Sequence, residues 1–172
     1  GLFLLVGMLS DRRHTRLIAE FGGLKAVMPR LVAAFMIITL ASIGLPGLNG
    51  FVGEFLIVLG AFRWDPRYAA VAVLGVILSA VYMLWMFQRV NFGTITQEEN
   101  AALPDLTRRE AWVIGPTVAA AVLMGVLPGL FLRPMQPSVE RLLQRVSREA
   151  VATAPAAPGG AALVIPSDRG PT

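Results

Sequence analysis

The chain has 172 residues, of which 55% are hydrophobic and 15% are charged, against about 25% charged residues in soluble domains. This composition, with a mean hydropathy of +0.65, excludes an ordinary soluble domain, and it excludes disorder over most of the chain because disorder requires low hydrophobicity. The net charge is +4, there is no Cys and there is one His. Because the basic residues lie between apolar segments, the charge does not indicate a nucleic-acid surface. The absence of Cys excludes a disulfide framework and an iron–sulfur cluster bound by Cys, and a single His does not indicate a multi-histidine metal site.

The first apolar run predicts the end of a transmembrane helix over residues 1–10. It opens at Gly1 without a preceding Met or a basic segment, so we expect a fragment that starts partway through this helix rather than a secretory signal. A basic connection follows at residues 11–30. The next stretch, residues 31–62, contains a single charged residue.

This stretch is too long for one straight span and too short for two. At 1.5 Å per residue it would form a helix of about 48 Å, whereas the hydrocarbon core is about 30 Å thick. Gly and Pro near its middle favour a break within residues 43–50 over a simple proline kink, because Pro removes a backbone donor and Gly frees the backbone. In lipid such a break needs protein or water around it. We therefore predict one crossing made of two half-helices, with these residues shaping the break: Ser42, Gly44, Pro46, Gly47, Asn49 and Gly50.

The later segments predict two further spans. Uncharged runs of about 20 residues indicate one transmembrane helix each at residues 68–90 and 111–132, joined by a loop at residues 91–110. Buried helices of a soluble protein are the alternative, but their apolar runs are usually shorter. Apolar residues at helical spacing then predict an amphipathic surface helix over residues 138–152, with Val139, Leu142, Leu143, Val146 and Ala150 on one face. Residues 153–172, rich in Ala, Pro and Gly, predict a disordered tail.

The basic residues predict the topology. Eight lie in the first and third connections, namely Arg12, Arg13, Arg16, Lys25, Arg30, Arg89, Arg108 and Arg109, and two, Arg63 and Arg67, lie in the short connection between them. The positive-inside rule places the more basic connections in the cytoplasm. Arg16 and Thr107 are therefore expected on the cytoplasmic side and Asp65 on the other.

Glu54 is the main candidate for a functional residue, because it is the single charge within residues 31–62. A carboxylate at membrane depth costs about 2.5–3.5 kcal/mol on insertion scales, so it is expected to face the protein interior with a partner. A carboxyl group held between desolvation and a nearby cation can load and release a proton. The alternative is a structural Glu bonded to a neighbouring helix. Ser42 and Asn49 would orient water in the first case and join helices in the second.

Two other titratable residues are weaker candidates for a proton path. Lys25 precedes an apolar run and is expected to extend to the membrane interface. His14 lies among arginines and is expected at the surface. Tyr82, Trp85 and Phe87, near the end of a span, resemble an interfacial aromatic belt rather than a cofactor site.

Residues 39–56, TLASIGLPGLNGFVGEFL, closely resemble the family of M subunits of respiratory complex I, the proton-conducting NADH–quinone oxidoreductase. This family is called subunit 4 in mitochondria. The segments DRRHTR at residues 11–16 and FGGL at residues 21–24 also resemble it. The resemblance is strong over residues 1–90 and extends to residue 132.

The resemblance implies an all-α integral membrane fold, a multi-span bundle of fourteen transmembrane helices in which two inverted five-helix repeats each contain a broken helix. This chain would be a C-terminal fragment with the end of the eleventh helix, the broken twelfth, the thirteenth and the fourteenth. The acid of the family's twelfth helix matches Glu54, which would be a terminal proton-relay group. Sister subunits and Mrp-type cation/proton antiporters usually have Lys there. The other key residues, an acid and two lysines, would lie upstream.

The family also implies the setting of the chain. It would be a subunit of a proton-pumping translocase without a cofactor of its own, with FMN and iron–sulfur clusters in other subunits and quinone at a different subunit interface. Its partners would be other complex I membrane subunits, especially neighbouring antiporter-like ones, and the lipid bilayer, but not nucleic acid. A multi-pass location in the bacterial inner (cell) membrane is favoured over the mitochondrial inner membrane. An Mrp-type antiporter, a membrane-bound energy-converting hydrogenase and a structural segment remain alternatives.

Overall fold

A computed structural model describes residues 1–95 and 97–153, and their regular elements are all helical. The longer helices are α1 (Leu2–Arg13), α3 (Pro29–Ser42), α4 (Asn49–Trp64), α5 (Pro66–Asn91), α7 (Arg108–Val126) and α9 (Gln136–Thr153), and the shorter ones are α2 (Leu24–Val27), α6 (Glu98–Ala101) and α8 (Pro128–Leu132). Single 3-10 turns lie at Ile18–Glu20 and Arg133–Met135. The predicted all-α class is confirmed, whereas the predicted disordered tail lies outside the described residues except for Thr153.

Within the described residues, two helices are long and apolar enough to cross a membrane. They are α5, with 26 residues and a mean hydropathy of 2.3, and α7, with 19 residues and a mean hydropathy of 1.2. Few residues of either helix are buried within the described chain, whereas the core helix of a soluble protein would be buried. Helix α3 is a shorter apolar helix of 14 residues.

Helix α5 shows how the two halves of the predicted broken span are arranged. Asp65 alone separates α4 from α5, and its carboxylate caps α5 by accepting a hydrogen bond from the backbone N–H of Arg67 at 2.8 Å. The N-terminal part of α5 therefore lies beside α4. Near its C-terminal end, the ring of Phe87 packs against the ring of Phe35 on α3, with centroids 5.7 Å apart. The N-terminal part of α5 thus lies beside α4, and its C-terminal part lies beside α3. The outer ends of the broken segment therefore lie at opposite ends of α5, and the segment is not a hairpin.

The buried core of residues 1–132 lies where α1, α3, the C-terminal part of α5 and α7 meet. Its members are apolar and include Leu5, Leu9, Leu24, Met28, Leu31, Phe35, Ile38, Phe87 and Ile114. Helix α7 contacts both α3 and α4. At Gly125 it approaches the segment between them so closely that an added Cβ would meet the backbone of Gly47 and Leu48. Helix α7 thus packs against one side of the break, whose residues Leu45, Pro46 and Gly47 are exposed.

Two sequence interpretations need correction. The uncharged stretch at residues 111–132 is not one continuous helix, because α7 ends at Val126 and α8 begins at Pro128. Pro disfavours the helical region for the residue before it, and Leu127 has φ −121° and ψ 58°. Phe87 is not part of an interfacial belt, because it is 5% exposed and packs in the core, whereas Tyr82 and Trp85 are exposed.

Residues 133–153 belong to a separate unit that contains α9. The predicted amphipathic helix at residues 138–152 lies within α9. Its apolar residues Val139, Leu142, Leu143 and Val146 are all exposed within this unit. An apolar stripe of this kind on a polar helix fits a membrane surface or a partner protein.

Candidate functional site at the helix break

Helix α3 ends at Ser42 because the backbone of the Gly/Pro segment that follows does not continue the helix. Gly44 has φ +72°, a left-handed conformation that costs Gly little. Its N–H donates to the carbonyl of Ala41 at 3.4 Å, and the N–H of Leu45 donates to the carbonyl of Leu40 at 3.0 Å. This pair of bonds is a Schellman motif, which satisfies the last carbonyl groups of a helix. Pro46 follows directly and cannot continue the helix.

The second half-helix starts against the end of the first. Gly47 has φ +92°, and α4 begins at Asn49 after the extended residue Leu48. An added Cβ at Gly50 would meet the carbonyl oxygen of Ala41, so the N-terminus of α4 lies directly beside the C-terminus of α3. The interruption, residues 43–48, falls inside the predicted interval of 43–50. It brings the partially positive end of one helix and the partially negative end of the other to one place.

Glu54 lies in the second turn of α4 and points back to the break. Its carboxylate lies across Gly44, since an added Cβ there would meet Oε2. The side chain is half-buried. Within the described part of the chain it makes no hydrogen bond or ion pair. The carboxyl group therefore keeps its donor and acceptor sites available for water or for another polypeptide segment.

A cavity of about 520 Å³ opens beside this carboxyl group. Its polar lining consists of Glu54, Ser42, Asn49 and Thr117. The hydroxyl of Ser42 donates to the carbonyl of Ile38 at 2.9 Å, which leaves the oxygen as an acceptor toward the cavity. A space of this size with several polar groups can hold several water molecules, so it can carry a hydrogen-bonded path to the carboxyl group.

The structure brings together most of the predicted site residues. Ser42, Asn49, Gly50 and Glu54 line the cavity, and Gly44 contacts the carboxylate. Pro46 and Gly47 shape the backbone without lining the cavity. Thr117, contributed by α7, was missed, because a single Thr in an apolar helix carries no signal in the sequence.

The two minor candidates lie away from this cavity. His14 is exposed at the C-terminus of α1, where it has φ +52° and its N–H donates to the carbonyl of Ser10. Lys25 is exposed, and its Nζ lies 5.0 Å from the centroid of the Phe92 ring. Neither residue lines the space beside Glu54.

A second polar cluster, here called the polar end, joins the N-terminus of α7 to α1 and α3. Arg12 of α1 donates to the Glu110 carboxylate at 2.7 Å and to the carbonyls of Met8 and Pro104 at 2.8 and 3.1 Å. This bond from Arg12, with further bonds from Thr107, lowers the pKa of Glu110 to about 2. Glu110 lies in the first turn of α7, before the uncharged residues that begin at Ala111. Its Thr-x-x-Glu capping box is a local sequence signal that the sequence interpretation overlooked.

Comparisons with known proteins agree with the family resemblance of residues 39–56. Residues 1–97 match the family described as NADH:quinone oxidoreductase/Mrp antiporter, TM. The chain is 47% identical over 144 residues to "NADH-quinone oxidoreductase subunit M" of Rhodobacter capsulatus, covering 84% of this chain and 28% of that protein. It is 43% identical over 144 residues to "NADH-ubiquinone oxidoreductase chain 4" of Marchantia polymorpha, covering 84% and 29%.

A solved structure has the same fold. The chain aligns with a chain of the respiratory complex I from Thermus thermophilus with bound NADH, with a TM-score of 0.71 and 41% identity, covering 78% of this chain and 28% of that one. This chain therefore spans less than a third of the length of the relatives that it matches. The family match covers more than half of the chain, so the resemblance of its motifs is confirmed: the chain belongs to the NADH:quinone oxidoreductase/Mrp antiporter transmembrane family, and it is a membrane protein.

Proposed function

We propose that this chain is the part of a proton-translocating subunit of NADH–quinone oxidoreductase that contains a broken helix and its proton-relay group, Glu54. One observation carries the proposal. An ionisable carboxyl group lies at a helix break and faces a cavity that can hold water, in a chain similar to proteins named for this oxidoreductase.

The surroundings of Glu54 suit a group that changes its protonation state. Its carboxyl group lies over Gly44 at the C-terminal end of α3 and faces a cavity lined by polar and apolar side chains. A change in a neighbouring charge would then move a proton onto or off this group. Water in the cavity, held by Ser42, Asn49 and Thr117, would carry that proton.

The remaining parts of the mechanism belong to the rest of the complex. NADH oxidation and quinone reduction would use FMN and iron–sulfur clusters in other subunits, and neighbouring antiporter-like subunits would pass the resulting charge change to Glu54. The location would be a bacterial cell membrane, with Arg16 and Thr107 in the cytoplasm. In support of this topology, Arg12 and Glu110 bond the first and third connections together at one end, while Asp65 lies at the other end of α5. The names of the relatives favour this function over an Mrp-type antiporter or a hydrogenase.

The decisive experiment replaces Glu54 in the full-length subunit within its assembled complex. Glu54→Gln keeps the shape and hydrogen-bonding capacity but cannot ionise. We expect it to abolish most NADH-driven proton uptake in inverted membrane vesicles while the amount of assembled complex stays normal. Glu54→Asp should retain part of the uptake, because it keeps a carboxyl group with a shorter reach. Glu98→Gln removes an exposed carboxylate and should leave uptake unchanged.

Glu54→Ala separates a relay from a structural role. If Glu54 only pairs helices, Ala leaves the partner unsatisfied in the membrane and assembly should fail, while Gln should be almost silent. If Glu54 is a relay, both variants should assemble and both should lose proton uptake. Normal uptake in an assembled Gln variant would contradict the proposal.

A further inference from the structure

Helix α7 contributes a single hydroxyl group to the cavity beside Glu54. Thr117 is the only Ser, Thr or Tyr in residues 111–132, and it lines this cavity. Residues four positions apart lie on the same face of a helix, and the next two along this face are Ala121, which is buried, and Gly125, which lies against the break. The Thr117 side chain therefore belongs to the face of α7 that packs against the two half-helices.

The two hydroxyl groups of the cavity differ in their hydrogen bonds. A Ser or Thr hydroxyl inside a helix can donate to the carbonyl four residues earlier. The Ser42 hydroxyl does so, to the carbonyl of Ile38 at 2.9 Å, and it can therefore only accept a further bond. The Thr117 hydroxyl makes no hydrogen bond with the described residues, so it can rotate and can either donate or accept.

The polar groups of this lining complement a water molecule in both protonation states of Glu54. An ionised Glu54 accepts a hydrogen bond from the water, Ser42 accepts a second one, and Thr117 donates to the water oxygen. A protonated Glu54 becomes a donor, and Thr117 then rotates to accept a bond from the water. A buried water typically makes about three such bonds, whereas an apolar side chain in its place would leave the carboxyl group of Glu54 without a partner.

We infer that Thr117 is a positioning residue that holds the proton-carrying water at Glu54, an inference that rests on the function proposed above. A hydronium ion at this position transfers one proton to the Glu54 carboxylate and leaves a neutral water, and release of the proton reverses the step. Thr117 acts through this water and itself neither gains nor loses a proton. Because its hydroxyl group can turn around, it supports the water before and after the transfer, whereas Ser42 only accepts.

Removal of this hydroxyl group from the full-length subunit in its assembled complex tests the inference. Thr117→Val keeps nearly the same shape without the hydroxyl group. We expect it to lower NADH-driven proton uptake in inverted membrane vesicles about fivefold, the effect of one lost hydrogen bond. Thr117→Ser keeps a hydroxyl group and should retain most of the uptake. Thr39→Val makes the same change at a position of α3 that does not line this cavity, and it should leave uptake unchanged.

Infrared difference spectroscopy of the same variants gives a readout that a purely structural role would not change. The carbonyl-stretch band of protonated Glu54, identified by its absence in Glu54→Gln, responds to hydrogen bonds at the carboxyl group. Thr117→Val should shift this band, whereas Thr117→Ser and Thr39→Val should leave it unshifted. If Thr117→Val does not assemble, Thr117→Ala removes the same hydroxyl group with a smaller side chain and has the same expected results.

The results separate a failure of this inference from a failure of the proposed function. Normal uptake in assembled Glu54→Gln, or no Glu54 band at any pH, would contradict the proposed function and this inference with it. If Glu54→Gln loses uptake, either normal uptake or an unshifted band in Thr117→Val would overturn the inference alone. An equal loss in Thr117→Ser or Thr39→Val would also overturn it, because the hydroxyl group at this position would not be the cause. Failure of both Thr117→Val and Thr117→Ala to assemble would show that Thr117 is structural.

Discussion

The polar end and the helix break use their carboxylates in opposite ways. At the polar end, Glu110 pairs with Arg12 at 2.7 Å, and the carboxylate of Asp105 accepts hydrogen bonds from the backbone N–H groups of Arg30 and Leu31, both at 3.1 Å. At the break, Glu54 has no partner within the described part of the chain. A carboxylate that is fully paired stays ionised and supports the fold, whereas one that faces a cavity is available to exchange a proton.

The difference in location explains the difference in partners. The polar end joins segments that are far apart in the sequence, so paired charges there fix the relative positions of α1, α3 and α7. Its side chains are also well packed, with 10% of the Arg12 side chain and 23% of the Glu110 side chain exposed. At the break, the last carbonyl groups of α3 are satisfied by the Schellman motif, and no ion pair joins the two half-helices within the described residues.

The largest effect on stability is expected from Glu110→Gln. The variant loses a charge-assisted bond and leaves Arg12 without a counterion, which should cost about 2–3 kcal/mol at neutral pH. Because Arg12 lowers the pKa of Glu110 from 4.5 to about 2, the pair contributes fully above about pH 4.5 and loses its contribution as the pH falls toward 2. Thermal unfolding of the full-length subunit in nanodiscs measures both effects.

Two comparisons make this measurement specific. The stability difference between wild type and Glu110→Gln should shrink as the pH is lowered from 4.5 toward 2. Glu98→Gln removes the same charge at an exposed position without an ion pair among the described residues, and it should change stability little. A difference that stays constant with pH would mean that the ion pair does not stabilise the polar end.

The break was predictable from the sequence and the polar end was not. The Gly and Pro residues act on their own backbone, so a window of eight residues is enough to locate the interruption. An isolated Glu in an apolar stretch is also recognisable, because its desolvation in a membrane is costly. Arg12 and Glu110 are 98 positions apart, and Asp105 caps a helix that begins 76 positions earlier. No local pattern reports such pairs, although the capping box beginning at Thr107 does predict where α7 starts.

The second prediction concerns how closely α7 packs against the break. Gly125→Ala places a Cβ against the backbone of Gly47 and Leu48, which cannot rotate away as a side chain could, so it should destabilise the subunit by about 1–3 kcal/mol. Gly115→Ala on the same helix meets nothing within 4 Å and should stabilise it by up to about 1 kcal/mol through helix propensity. Thermal unfolding of the two variants in the assembled complex compares them. Equal stability changes would show that α7 does not pack closely against the break at Gly125.

The third prediction concerns Gly44, which contributes to the break in two ways. Its φ of +72° favours Gly, and its missing side chain leaves room for the Glu54 carboxylate. Gly44→Ala should therefore cost about 1 kcal/mol of stability from backbone strain and should also displace the carboxyl group. If Glu54 is the proton-relay group, a displacement changes the surroundings of its carboxyl group, so the pH profile of NADH-driven proton uptake should shift.

Gly47→Ala is the matched control for this variant, because it separates the strain from the displacement. Gly47 has φ +92°, but an added Cβ there meets nothing within 4 Å. It should lower thermal stability by a similar amount and leave the pH profile of proton uptake unchanged. If both variants shift the profile equally, backbone strain alone explains the effect and Gly44 does not position Glu54. If neither variant shifts the pH profile while both lose stability, displacement of the carboxyl group does not affect proton uptake. The break then tolerates a displaced carboxyl group, whereas the polar end is fixed by its ion pair.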